Sequence, residues 1–361
     1  MVPTLNNMSN QAFQTLKELP TPLNESQCVL HEHEILICGG YRQRVCYSYH
    51  TLKNEYKFVC EYPSHIEVNG HCVLKLVDNN KDNNQITLLS FGGHKYFKKH
   101  TLVMKYVSVW SNILDISNKS NEFNNHNKWT PFTDNDNHPV IIGRDNDEYR
   151  GVRSVIGGRN NNLLFITYIP NNISIFDLNT FQFIKHHTLP TQGLISYHCF
   201  VSNSENGQGQ EMMKTNKQNY QMLLFKETTG LSIEYDEDNN TFQFHQLPVC
   251  DDIAPFYRYA YVCINDIVLF FGGCNWSYSV ISKSVHKYSI RENRWMTFKN
   301  TLLSPLYNRV AVLSEEDNYI HIIGGENDKH ESVTAHMKTK VREWDPSQLV
   351  IIYLFILMKH K

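Results

Sequence analysis

The 361-residue sequence has no apolar run long enough to cross a bilayer. The longest, Leu349 to Met358, falls short of the roughly 20 residues a spanning helix needs. It also lacks a secretion leader: Met1 to Ala12 is polar and Asn-rich, with neither a basic start nor an apolar stretch. It has no excess of either charge, with 34 Lys and Arg against 36 Asp and Glu. That excludes the strongly basic profile expected of a nucleic-acid binder. The nine cysteines are an odd set without a single Cys-x-x-Cys pair. With no leader, they read as reduced thiols of a cytoplasmic protein. Sequons such as Asn172-Ile173-Ser174 are then expected to stay unmodified.

Strand-forming material is plentiful, with aromatic residues at 12% and no helical periodicity. It is organised as a repeat. Apolar runs end in Gly-Gly at Gly39-Gly40, Gly92-Gly93, Gly272-Gly273 and Gly324-Gly325. Each run reads as a strand buried on both faces. A small residue followed by two apolar ones precedes each unit, at Cys28, Cys72, Ser154, Cys199, Ala260 and Ala311. Copies three and four lack the glycine pair, their runs being Leu164 to Tyr168 and Met222 to Glu227. Gly157-Gly158 belongs to a first hairpin turn instead. Paired aromatics flank a polar turn: Tyr49 with Tyr56, Tyr106 with Trp129, Phe176 with Phe181, Tyr235 with Phe242, and Tyr288 with Trp295. Asn-rich insertions (Asp78 to Gln85, Ser111 to Lys128, Ser202 to Asn219) stretch two copies and read as disordered.

Six copies at roughly 50-residue spacing, each with four strands, predict an all-β, six-bladed propeller of antiparallel blades. With its glycine-terminated strand and spaced aromatic pair, the repeat resembles the kelch family over about residues 13 to 349. Residues 1–12 are expected to be disordered and 350–361 to form an apolar tail. Phe13 to Leu16 matches the outer strands at Phe181 and Trp295, so it is expected to close the last blade near Val341 to Trp344. The tail from Val350 to Met358 is a rival for that edge.

Strand alternation puts the second-to-third and fourth-to-first loops on one face. They carry Arg42, Arg44, Lys95, Tyr96, Lys98, Lys99, Trp276 and Tyr278, together with Arg153, Tyr197, Arg258 and Arg309. Arg, Tyr and Trp are enriched at binding hot spots. The kelch resemblance implies a face that reads a protein or acidic peptide, with the lysines steering it. A solvated charged rim accounts for the same residues. The resemblance also admits cullin-type ligase components or actin as partners. Galactose oxidase has a similar architecture, but no copper-ligand motif is legible here, and His31-Glu32-His33 and His186-His187 lack further ligands at a known spacing. The expectation is a non-enzymatic binding scaffold with no cofactor, metal, nucleic acid or membrane.

Overall fold

A computed structural model describes residues 12–77, 85–94, 99–111, 126–202 and 219–345. Among these, six four-stranded antiparallel sheets follow one another along the chain. Blades one to five cover 27–61, 72–131, 148–188, 199–246 and 260–297; blade six covers 310–340 and takes its outer strand from Gln14–Thr15. The innermost strands are Gln27–His31, Cys72–Lys75, Glu148–Gly157, Cys199–Ser202, Ala260–Ile264 and Val310–Ser314. The first lies against the last, so the ring is closed. No described helix is long and apolar enough to cross a membrane.

Apolar clusters fill the wedges between blades. One joins blades one and two around Leu36, Tyr62 and Leu88, and another joins blades five and six around Phe271, Ile322 and Trp344. Second strands such as Glu34–Gly40 and Ile267–Phe271 are buried throughout, because each is covered on both faces by its neighbours.

The small residues of the inner strands do not form one column, and three sequence expectations need correction. Cys72, Cys199 and Ala260 pair with Phe91, Phe225 and Phe271, whereas Cys28, Ser154 and Ala311 pair with Ile37, Ile166 and Ile322, one ladder step further on. A one-residue step reverses the face a side chain occupies. Phe176 pairs with Phe183, not Phe181. Phe181 sits in the turn at φ 59°, a slot that Asn54, Asn240 and Asn293 fill elsewhere. In those three blades the asparagine accepts a hydrogen bond from Tyr49, Tyr235 or Tyr288. In blade two, the pairing of Val103 with Thr130 sets Met104 opposite Trp129. Tyr106 instead donates to the buried carboxylate of Glu34 in blade one. The N-terminal strand closes blade six, but against His336–Lys340, with Gln14 opposite Lys338. Val341–Glu343 is a 3₁₀ turn that directs Trp344 inward against Phe13 and Phe298. The rival segment, Val350 to Met358, lies outside the described residues, as do most residues of the three insertions.

Candidate functional site

Two positions before the start of each inner strand, or before the continuous ladder that begins at Arg153 in blade three, the backbone adopts a left-handed conformation. The residues are Glu25, Gly70, Gly151, Tyr197, Arg258 and Asn308, with φ between 50° and 72°. They form a collar around the propeller axis. Asn308 donates its N–H to the Arg258 carbonyl, and Glu25 donates to Asn308; Gly151 donates to Gly70, and Tyr197 to Gly151, at 2.8 to 3.0 Å. Glycine is required at 151, where a Cβ would lie 2.6 Å from the Tyr197 ring. Tyr197, Arg258 and Glu25 hold the same conformation without that freedom. Such strained residues persist where surrounding contacts over-determine them, often at functional sites.

The collar separates a mouth of about 460 Å³ from a central cavity of about 320 Å³, and Glu25, Tyr197, Arg258 and Asn308 line both. Arg258 donates from Nη1 to Glu25 Oε1 and Asn308 Oδ1, both at 2.8 Å, and its guanidinium lies 3.7 Å from the Tyr197 ring centre. The Tyr197 hydroxyl donates to Glu25 Oε2 at 3.0 Å. Burial opposes the charge on Arg258, but Tyr197 and Glu25 outweigh it and hold the guanidinium above its ordinary range. The pair is thus an ionic lock rather than a free binding charge, although Arg258 Nε is buried without a partner.

An aromatic shelf extends from this lock. Trp276 stacks on Tyr257 at 5.0 Å and 24°, and Tyr257 donates to the Tyr278 hydroxyl at 2.9 Å. Buried Lys226 sits 4.6 Å from the Trp276 ring and pairs with Glu227 at 2.9 Å. Trp276 remains 53% exposed, a large aromatic surface offered to solvent. Beside the shelf, with its ring 5.6 Å from Tyr278, Tyr307 contacts both Glu326 and His330, and Arg150 completes the mouth as an exposed cation.

The structure therefore brings Tyr197, Arg258, Trp276 and Tyr278 together. Arg153 lies deeper, lining the cavity, with Nη1 on the Val152 carbonyl at 2.8 Å. Arg309, expected on a loop surface, is only 7% exposed and donates from Nε to the Gly324 carbonyl. Its chain lies over Gly325, where a Cβ would come within 2.4 Å, and burial pulls its pKa down to about 9. Arg42 and Arg44 are not at the mouth. Arg42 occupies a hairpin tip at φ 57°, with Glu67 at 3.8 Å, and Arg44 pairs with Glu61 on the outer strand at 3.4 Å. Lys95, Tyr96 and Lys98 lie outside the described residues. Lys99 is tied to the Arg144 and Asp145 carbonyls. His31 ends its strand buried against Tyr106, whereas His33 is half-buried and pairs with Glu316. Sequence reasoning missed Glu25, Arg150, Tyr257, Tyr307, Glu326 and His330. The first four stand two or three positions before an inner strand's continuous ladder, a signal that aligning the repeats on the second strand would have exposed.

Among the described residues, one group could hold a cation: Asp134, Asp136 and His138, exposed on the loop after blade two's outer strand. Asp134 already accepts the backbone N–H groups of Asp136 and His138, as a turn-forming aspartate does.

A closed six-bladed disc with a polar mouth over its axis defines a β-propeller, built from repeats and offering its loops at one end. The kelch motif matches residues 255–300, which make up blade five and its flanking loops. The chain is a six-bladed β-propeller that carries a kelch motif in its fifth blade. Its fold is similar to the solved structure titled "Structure of YjhT", with a TM-score of 0.61 at 14% identity over 91% of this chain and 98% of that one. No curated protein matches the sequence.

Proposed function

We propose that this propeller is a non-catalytic platform that captures a protein segment at its mouth. The observation that carries the reading is the exposed Trp276, stacked on Tyr257 and continuous through Tyr278 with the Arg258 lock. A rigid aromatic presented beside fixed polar groups loses little entropy on binding and resembles a hot spot. Arg150 supplies the accessible positive charge, so an acidic segment is favoured. Arg258 and Arg309 act instead as structural supports, one locked by Glu25 and the other buried.

A random-peptide display selection against the intact chain tests this. Enriched peptides should carry Asp or Glu beside an apolar anchor. The Trp276→Ala, Arg150→Gln double variant should bind them at least about tenfold more weakly, the loss expected of hot-spot residues. Enrichment of basic peptides, or equal binding by the variant, would reject the reading.

A further inference from the structure

The central cavity has a chemistry of its own. Arg153 lines it, and no carboxylate lies within ion-pair distance of its guanidinium among the described residues. Arg309 lines the same cavity, buried, with both Nη atoms lacking a hydrogen-bond partner. A buried guanidinium left without acceptors is costly, and an anion placed against it recovers that cost. Two carboxylates touch the cavity. Glu25 is neutralised by Arg258 and Tyr197, and Glu315 is exposed. The rest of the wall is mixed: Val73, Leu74, Phe200, Val201, Val262 and Leu313 form its apolar part, and Ser26, Gln27, Ser154 and Asn308 its polar part. A cation without a carboxylate partner, beside an apolar wall in a concave space of about 320 Å³, has the form of a small-ligand site.

We infer that the cavity binds a small monocarboxylate with an apolar body, its carboxylate on Arg153 and its tail against the valine and leucine wall. The planar guanidinium fork matches a carboxylate in two parallel hydrogen bonds. Low dielectric around the pair strengthens the attraction beyond that at a surface. The apolar body distinguishes this ligand from inorganic anions, which gain nothing from the wall. Arg309 contributes positive potential from behind, although burial has already weakened its hold on a proton. Entry is from the mouth, past the Glu25 to Arg258 lock, which borders both spaces. The inference stands apart from the capture of a protein segment above: either can fail alone, because the cavity ligand does not touch Trp276.

Titration calorimetry with hexanoate as the probe tests it on the full chain. Hexanoate should bind saturably, at about millimolar affinity or tighter, while hexanamide and acetate bind at least about tenfold more weakly. Arg153→Gln should abolish the hexanoate heat, Arg153→Lys should keep part of it, and Arg294→Gln, on an outer strand, should leave it unchanged. If Arg153→Gln does not fold, the wild-type arginine Nε spectrum decides. The Arg153 signal, assigned by its loss in Arg153→Lys, should shift saturably with hexanoate. Equal binding of hexanamide, no saturable binding, or an Arg153 signal that stays fixed would overturn the inference.

Discussion

The unusual residues of this fold are its buried histidines. His71 donates from Nε2 to the Cys38 carbonyl, 3.1 Å away in the preceding blade. His321 contacts His336, which in turn meets the Tyr56 hydroxyl across the seam between blades six and one. Burial is the leading cause that holds His71 down to about 3, and His100 and His321 down to about 4. A folded-state pKa below the unfolded value of about 6.5 means the unfolded chain binds more protons as pH falls. Their contribution to stability is therefore complete above about pH 6.5 and is lost progressively as pH falls from there towards the folded values of 4 to 3. Urea midpoints should fall steadily from pH 7 to pH 4, and His321→Asn should flatten part of that slope. A midpoint independent of pH over this range would contradict the neutral, interior assignment of these rings.

Among the elements, one of the two shortest strands has the largest structural task. Gln14–Thr15 makes a two-residue ladder, yet it covers the open edge of His336–Lys340. Its hold comes from the residues around it. Phe13 is 3% exposed, with Trp344 at 5.4 Å and Phe271 at 6.4 Å, and Thr339 donates to the Ala12 carbonyl. Glu18 and Asn24 add hydrogen bonds to Thr334 and Ser332. Phe13→Ala should cost about 3–5 kcal/mol, the usual penalty for emptying an aromatic core site. Denaturant unfolding measures this directly. The same variant should self-associate on mild heating, because a freed strand edge pairs with other chains. Light scattering would register it.

For the molecule as a whole, the collar couples blades distant in sequence. Glu25 precedes blade one, Arg258 precedes blade five, and Tyr197 precedes blade four, and all three meet on the axis. Removing one partner of a buried pair leaves the other charge uncompensated. Glu25→Gln should therefore destabilise the protein by about 3 kcal/mol, and Glu25→Gln with Arg258→Met by less than the sum of the two single changes. A double-mutant cycle on thermal unfolding reads the coupling. Strict additivity would mean the lock contributes nothing to joining the blades.

The sequence alone determined the repeat, the blade number and the class of the inner and second strands. Those follow from periodic apolar runs and glycine steps, which are local properties of the chain. The N-terminal closure was legible because Phe13 to Leu16 repeats an outer strand's pattern, but its register was not. Trp344 reaches its place through a 3₁₀ turn fixed by packing against Phe13 and Phe298. Site composition was half legible. Tyr197, Arg258, Trp276 and Tyr278 could be assigned to one face from strand alternation. That Arg258 is taken up by Glu25, that Arg309 is buried over Gly325, and that Arg153 faces the axis depend on residues up to 233 positions apart meeting where the ring closes. Charge that looks free along a chain is free only if tertiary structure brings no counter-charge to it, and no local pattern encodes that meeting.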